Sequence, residues 1–244
     1  MDSHIATELE PLQSSEKPTE LDKSSSEQIT DTGYWQSQFE LYMQDRTCDD
    51  AAHDIGHFRR VWRNAQNIML GEAANQLVVL TACYFHDLIN LPKNHKDRHK
   101  ASQLSAVQTA TLLAQDFPQF PTALMPGVQH AIEAHSFSAN ITPRTIEAKI
   151  VQDADRLEAL GPIGLARVFY IAGRLDSKLF DAEDPLAENR ALDDSKYALD
   201  HFQLKLLKLP DSMQTKTGKQ LADQSADYLR TFMYDLVSEL AVNS

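Results

Sequence analysis

An all-α fold is predicted from three observations. From Asp31 onward apolar residues recur at helical spacing, beginning with Trp35, Phe39, Tyr42 and Met43 at i, i+4, i+7 and i+8. Asn75 to Ile89 is apolar nearly all round, as in a central buried helix. No stretch alternates apolar and polar residues with the period of two that a half-buried strand requires, and no internal repeat or heptad run occurs.

The elements follow in order. Residues 1–30 hold no aromatic residue, both Pro11 and Pro18, and seven acids against two bases. Such a segment buries too little apolar surface to offset its ordering entropy, so a disordered acidic tail is expected. The remaining residues, 31–244, suit one domain. After the helix at Trp35, Ala51 to Leu70 repeats the pattern through Ile55, Phe58, Val61, Trp62, Ala65 and Ile68. Leu91–Pro92 stops the buried helix, and a polar, basic loop spans Lys93 to Lys100. Helices are expected over Ser102–Asp116 and Met125–Ala134. Another is expected over Thr145–Leu160, with Thr142 as its cap and Pro143 in its first turn. Ile163–Gly173, Tyr197–Lys208 and Gly218–Ala241 complete the set, with an irregular Asp-rich loop at 174–194.

Composition excludes several functions. The 244 residues hold 23 Lys+Arg and 35 Asp+Glu, a formal charge of −12, which argues against a nucleic-acid binder. It leaves room for a small anionic substrate, because a pocket's local field can oppose the net charge. The two cysteines, Cys48 and Cys83, make neither a disulfide framework nor a four-thiolate zinc site, so a reducing, cytoplasmic setting is expected. With 8 glycines and no GxGxxG or GxxxxGK[ST], any phosphate must be held by side chains or a metal. No secretory signal is read at the N-terminus. The longest apolar stretch, Leu77 to Phe85, falls short of the ~20 residues that span a bilayer, so no membrane partner is expected.

Histidines and carboxylates carry the chemistry. His86 and Asp87 adjoin at the end of the most apolar segment, where burying both is costly unless they are paired or bind a metal. His57 lies upstream in HDIGHFRRVW and Asp155 downstream in VQDADRLEALG. Three helices could bring His57, His86, Asp87 and Asp155 to one point. That mixed N/O set suits Mn, Fe, Co, Ni, Zn or Mg. Asp153 and Asp155 point about 200° apart on a helix, so one of them faces the site and the other serves a neighbouring loop. His53, one turn before His57, could orient it or lie at the surface.

The ordered set H…HD…D resembles the HD-domain metal-dependent phosphohydrolase superfamily. HDIGHFRRVW, YFHDLINLPK, EAHSFS, VQDADRLEALGPIGLAR and HFQLKLLKL are similar to a bacterial HD hydrolase branch over residues 31–240. The resemblance implies one HD-type helical domain and one divalent ion, manganese favoured, held by His57, His86, Asp87 and Asp155. It implies hydrolysis of a phosphate ester or anhydride of a nucleotide. Asp87 and His135 are the candidate catalytic groups, His135 touching the phosphate or attacking water. His130 and His135 could serve a second metal only if their helix ended near Ser136; one metal is expected. The chain departs from the nucleoside monophosphate nucleotidases, which carry a glutamate where Asn90 stands. An amide is no general acid or base, which argues against 5′-nucleotidase activity.

Phosphate needs cations. Arg60, Lys93, Lys96, His201 and Lys205 are the candidate substrate contacts, with His201, Lys205 and Lys208 expected on one helix face. Arg156 and Arg167 are equally suited to structural ion pairs with Asp153 or Glu158. The leading expectation is a nucleotide phosphohydrolase, narrowest as a (d)NTP pyrophosphohydrolase. The alternatives are a phosphomonoesterase, a cyclic-nucleotide phosphodiesterase, or a metal-binding sensor without turnover. A homodimer is compatible with the sequence.

Overall fold

The computed structural model describes residues 31–44, 55–91 and 95–241. The expected tail, Cys48, His53, Pro92 and Lys93 lie outside the described residues. The described elements are helices, and no strand occurs among them; one isolated bridge pairs Lys178 with Tyr197. The α-helices are α1 (Thr32–Gln44), α2 (Ile55–Met69), α3 (Gln76–Phe85), α4 (Ala101–Asp116) and α5 (Met125–His135). They continue as α6 (Ile146–Leu157), α7 (Gly161–Arg174), α8 (Ala198–Leu204) and α9 (Lys216–Ala241). No described helix is long and apolar enough to cross a membrane.

α3 is the hub. Asn75 caps it, its side chain accepting from the N–H groups of Leu77 and Val78, both at 3.1 Å. Every residue from Leu77 to Phe85 is buried, and α1, α2, α5 and α6 pack around it. On α2 the buried residues Phe58, Val61, Trp62, Ala65 and Ile68 form the inward stripe that the spacing predicts. Full burial of such a side chain contributes about 1.5–3 kcal/mol. Glu40 ties α1 to this hub by accepting from Arg59 Nη2 and Tyr84 Oη, each at 2.6 Å. The Arg59 guanidinium, against the effect of burial and with help from Tyr84, holds the Glu40 carboxyl down at about 2.

Three boundaries differ from expectation, each for a local reason. α3 ends at Phe85 rather than Ile89: the chain tightens to a Leu88 N–H bond on the Phe85 carbonyl at 3.2 Å, and the Ile89 N–H turns to Ser105 Oγ at 3.0 Å. The cap of α6 is Thr145, not Thr142. The Arg144 N–H is taken by His130 Nε2 at 2.9 Å, while Thr145 Oγ1 accepts from Ala148 N. The expected helix over Tyr197–Lys208 breaks at Lys205 (φ −128°, ψ −60°) into a 3-10 segment, Leu206–Ser212. Pro210 lacks the N–H that would close a helical bond to Leu206 and crowds its carbonyl. The apolar stripe Leu199, Phe202, Leu206 and Leu209 is still buried.

The 174–194 loop is irregular, as expected, but braced from inside. Asp200 on α8, fully buried, accepts from Arg190 Nη1 (2.6 Å), Arg190 Nη2 (2.8 Å) and Asp193 N (2.7 Å). The corner between α6 and α7 depends on Gly164. A Cβ there would lie 2.2 Å from the Ala159 carbonyl oxygen, so only glycine admits this approach.

Candidate metal centre

Four segments deliver the candidate ligands: α2 supplies His57, the turn that follows α3 supplies His86 and Asp87, α6 supplies Asp155, and the last residue of α5 is His135. His57 Nε2 and His86 Nε2 stand 3.2 Å apart, and Asp155 Oδ1 is 3.7 Å from both. Asp87 Oδ2 is 3.8 Å from His86 Nε2, and Asp87 Oδ1 is 3.4 Å from His135 Nε2. Among the described residues two groups could hold an ion: His57, His86 and Asp155, and His86, Asp87 and His135. The imidazoles are buried, while Asp87 and Asp155 keep 26% and 29% of their side chains exposed and so face the cavity.

The donor set fits a divalent ion. His86 Nδ1 meets the Cys83 carbonyl at 3.0 Å, and a carbonyl only accepts, so Nδ1 carries the proton and Nε2 a lone pair. His57 Nδ1 faces Glu158 Oε2 at 3.5 Å, which orients that ring in the same sense. With both rings in that tautomer two lone pairs converge at 3.2 Å, an arrangement that a cation between them relieves; without an ion, His57 in the other tautomer can donate to His86 Nε2. Ligands about 2.1 Å from one ion stand roughly 3 Å apart, so the nitrogens are spaced for it. Burial, opposed by the Asp87 and Asp155 charges, pushes His86 down to about 4. Burial also acts to lower His135, but its hydrogen bond and charge contact with Asp87 prevail and raise it. His135 Nδ1 is fixed on the Ile132 carbonyl at 2.6 Å.

Asp153 points the other way, as the helical angle requires. Its carboxylate accepts from Gln214 N (2.9 Å), Thr215 N (2.8 Å) and Thr215 Oγ1 (2.8 Å), anchoring the start of α9. Burial pushes its carboxyl up, and those donors act against the rise. Gly218 makes room, since a Cβ there would meet Asp153 Oδ2 at 2.5 Å. His130 is spent on Arg144 N and does not join the cluster.

A cavity of about 230 Å³ opens over the cluster, lined by His57, Asp87, His135 and Asp155, with Arg98, Arg156, Arg167 and Lys205 around them. The cations differ from the expected set. Arg60 Nε donates to Glu158 Oε2 at 2.8 Å, so it braces the carboxylate behind His57. Lys96 is exposed and lines neither this cavity nor the larger one beside it. Lys205 lines both, His201 only the larger, and Lys208 neither, because the break at Lys205 separates their faces. Asn90 lines a small recess with Asp87, Arg98 and His135. Sequence reasoning missed Arg98, left Arg156 and Arg167 open between substrate contact and ion pair, and assigned Glu158 to those arginines where the structure pairs it with Arg60. Arg98 lies within the basic loop, the one local signal available; Glu158 follows from Asp155 only once the helix end is known.

Helices enclosing adjoining imidazoles and carboxylates, ordered His, His-Asp, Asp along the chain, define an HD domain. The HD domain family model matches residues 54–160, and the chain belongs to this superfamily. It is 31% identical over 198 residues to the YpgQ protein of Bacillus subtilis, covering 80% of this chain and 87% of that one. Among solved structures, YpgQ in complex with ADP is similar at 28% identity, with a TM-score of 0.64 and coverage of 90% of this chain and 98% of that chain. An HD-superfamily hydrolase from Bacillus thuringiensis is 26% identical with a TM-score of 0.65, covering 90% of this chain and 100% of its own.

Glu158 supplies a prediction. Glu158→Gln keeps the shape but weakens the hold on His57 Nδ1. Divalent-ion affinity, measured by calorimetric titration, is expected to fall about ten- to hundredfold.

Proposed function

We propose that the chain is a divalent-metal-dependent phosphohydrolase acting on a nucleotide, most specifically a nucleoside triphosphate pyrophosphohydrolase. The observation behind the reading is one cavity in which a two-imidazole, two-carboxylate cluster faces Arg98, Arg156, Arg167 and Lys205. The ADP held by YpgQ supports a nucleotide over other phosphate esters. In this reading the catalytic unit is residues 31–244, and the ligands are His57, His86, Asp87 and Asp155. The mixed N/O donor set accommodates manganese.

The ion, when bound, supplies a water of lowered pKa and polarises a phosphoryl oxygen. The chain's own groups do the rest. Glu158 and the Cys83 carbonyl fix the two imidazoles. The four cations neutralise phosphate charge and align the phosphates, which is most of what phosphoryl transfer needs. Asp87 Oδ1 and His135 Nε2, 3.4 Å apart, form a pair that can hold a proton at the cavity wall and pass it to the leaving oxygen. Arg60 contributes through Glu158, not through the substrate.

The test is a screen of nucleoside mono-, di- and triphosphates and cyclic nucleotides with Mn²⁺, Mg²⁺, Co²⁺ and Ni²⁺, resolving phosphate from pyrophosphate. Pyrophosphate release from triphosphates is expected. Phosphate release from monophosphates or ring opening of cyclic nucleotides points to the other esterases, and no turnover with any metal to a sensor. Lys205→Ala is expected to lower kcat/KM by roughly ten- to hundredfold, the cost of one charge-assisted phosphate contact, with ion binding intact. Steady-state kinetics with parallel metal analysis check this.

A further inference from the structure

A second cavity, of about 360 Å³, adjoins the one over the cluster and shares Arg98, Ala159, Arg167 and Lys205 with it. We infer that this larger cavity seats the nucleoside of the substrate, a flat heteroaromatic base with its sugar, and that Asp194 and His201 contact the base. The inference rests on the phosphohydrolase reading for its phosphate end.

The wall chemistry changes in sequence. Beyond the shared cations the lining becomes apolar, with Val168, Ile171, Ala172, Leu175 and Leu206. Asp194 and His201 also line it, and His201 Nδ1 meets Asp194 Oδ2 at 2.8 Å. A carboxylate accepts, so the proton sits on Nδ1, and Nε2 and the carboxylate present hydrogen-bonding atoms to a ligand edge. A ligand with a polyanionic end, a flat apolar body and a polar rim matches that order. The volume lies in the range of about 300–1,000 Å³ usual for small-molecule sites. A short phosphate ester would leave this space unused.

The pair is also held in place. Asp193, the residue before Asp194, donates its N–H to Asp200, the fully buried carboxylate that binds Arg190. His201 follows Asp200 on α8. One ion pair on a buried carboxylate therefore sets both residues, which suits a selectivity element.

The test compares ADP with pyrophosphate, which carries the same phosphates without a nucleoside, by calorimetric titration of the full chain in Mn²⁺. The variants are His201→Ala and Ile171→Trp, the second filling the apolar part. Each is expected to weaken ADP by about tenfold or more and to change pyrophosphate by less than about twofold. Equal losses for both probes, or no loss for either, overturn the inference. Circular dichroism checks the fold, and if Ile171→Trp loses it, His201→Ala decides. Wild-type protein that hydrolyses phosphoanhydrides yet binds ADP no better than pyrophosphate overturns the nucleoside site alone. Wild-type protein with the expected ADP pattern but no turnover overturns the phosphohydrolase reading and leaves the site standing.

Discussion

Asp155→Ala is expected to lose both the divalent ion and turnover while remaining helical. Asp155 Oδ1 lies 3.7 Å from both imidazole nitrogens, so its removal opens the cluster on the cavity side. Loss of several kcal/mol of charge stabilisation corresponds to a fall in kcat/KM of about a thousandfold or more. Metal analysis after gel filtration and circular dichroism give the two readings. A variant that keeps its ion and its rate removes Asp155 from the centre. Chelation of the wild type is expected to give the same loss of turnover, restored by adding Mn²⁺.

Asp153→Ala is expected to do the opposite: weaken the fold and spare the ion. The substitution strands Gln214 N, Thr215 N and Thr215 Oγ1, two of them on a buried residue. Unsatisfied donors cost about 1–3 kcal/mol each, partly recovered by water, so a destabilisation of about 3 kcal/mol is expected in urea unfolding. Ion affinity at low temperature should change less than about threefold, because the Asp153 carboxylate serves the start of α9 and not the cluster. A loss of ion with unchanged stability reverses the roles of the two aspartates.

The sequence makes the helices and the converging ligands legible for different reasons. α2 and α3 are readable because burial imposes spacing: one stripe on Phe58, Val61, Trp62 and Ala65, and an all-round apolar run from Leu77. Of Asp153 and Asp155 only one can face the cluster, because two steps on a helix turn a side chain away. What could not be read was who pairs with whom. Arg60 and Glu158 are 98 residues apart, and nothing local marks Arg60 as a brace. Arg98, Arg156 and Arg167 look like ordinary surface charge until α6, α7 and the 3-10 turn Arg98–Lys100 are set side by side. The helix ends failed where a distant side chain took a backbone N–H: Ser105 at Ile89 and His130 at Arg144. The break at Lys205 was legible in principle, since Pro210 lies five residues on.

The separation of His57 from His86 by 29 residues, and of Arg60 from Glu158 by 98, has a consequence for the order of events in folding. Contacts this far apart form only after the intervening loops close, and their closure entropy must first be met by other interactions. Those are the packed residues of α2, α3 and α6, among them Phe58, Val79 and Ala154. The cluster is therefore expected to assemble with the core, so the fold should form without an ion. An ion would then meet side chains already gathered by the core, so little of its binding free energy is expected to go into arranging the protein.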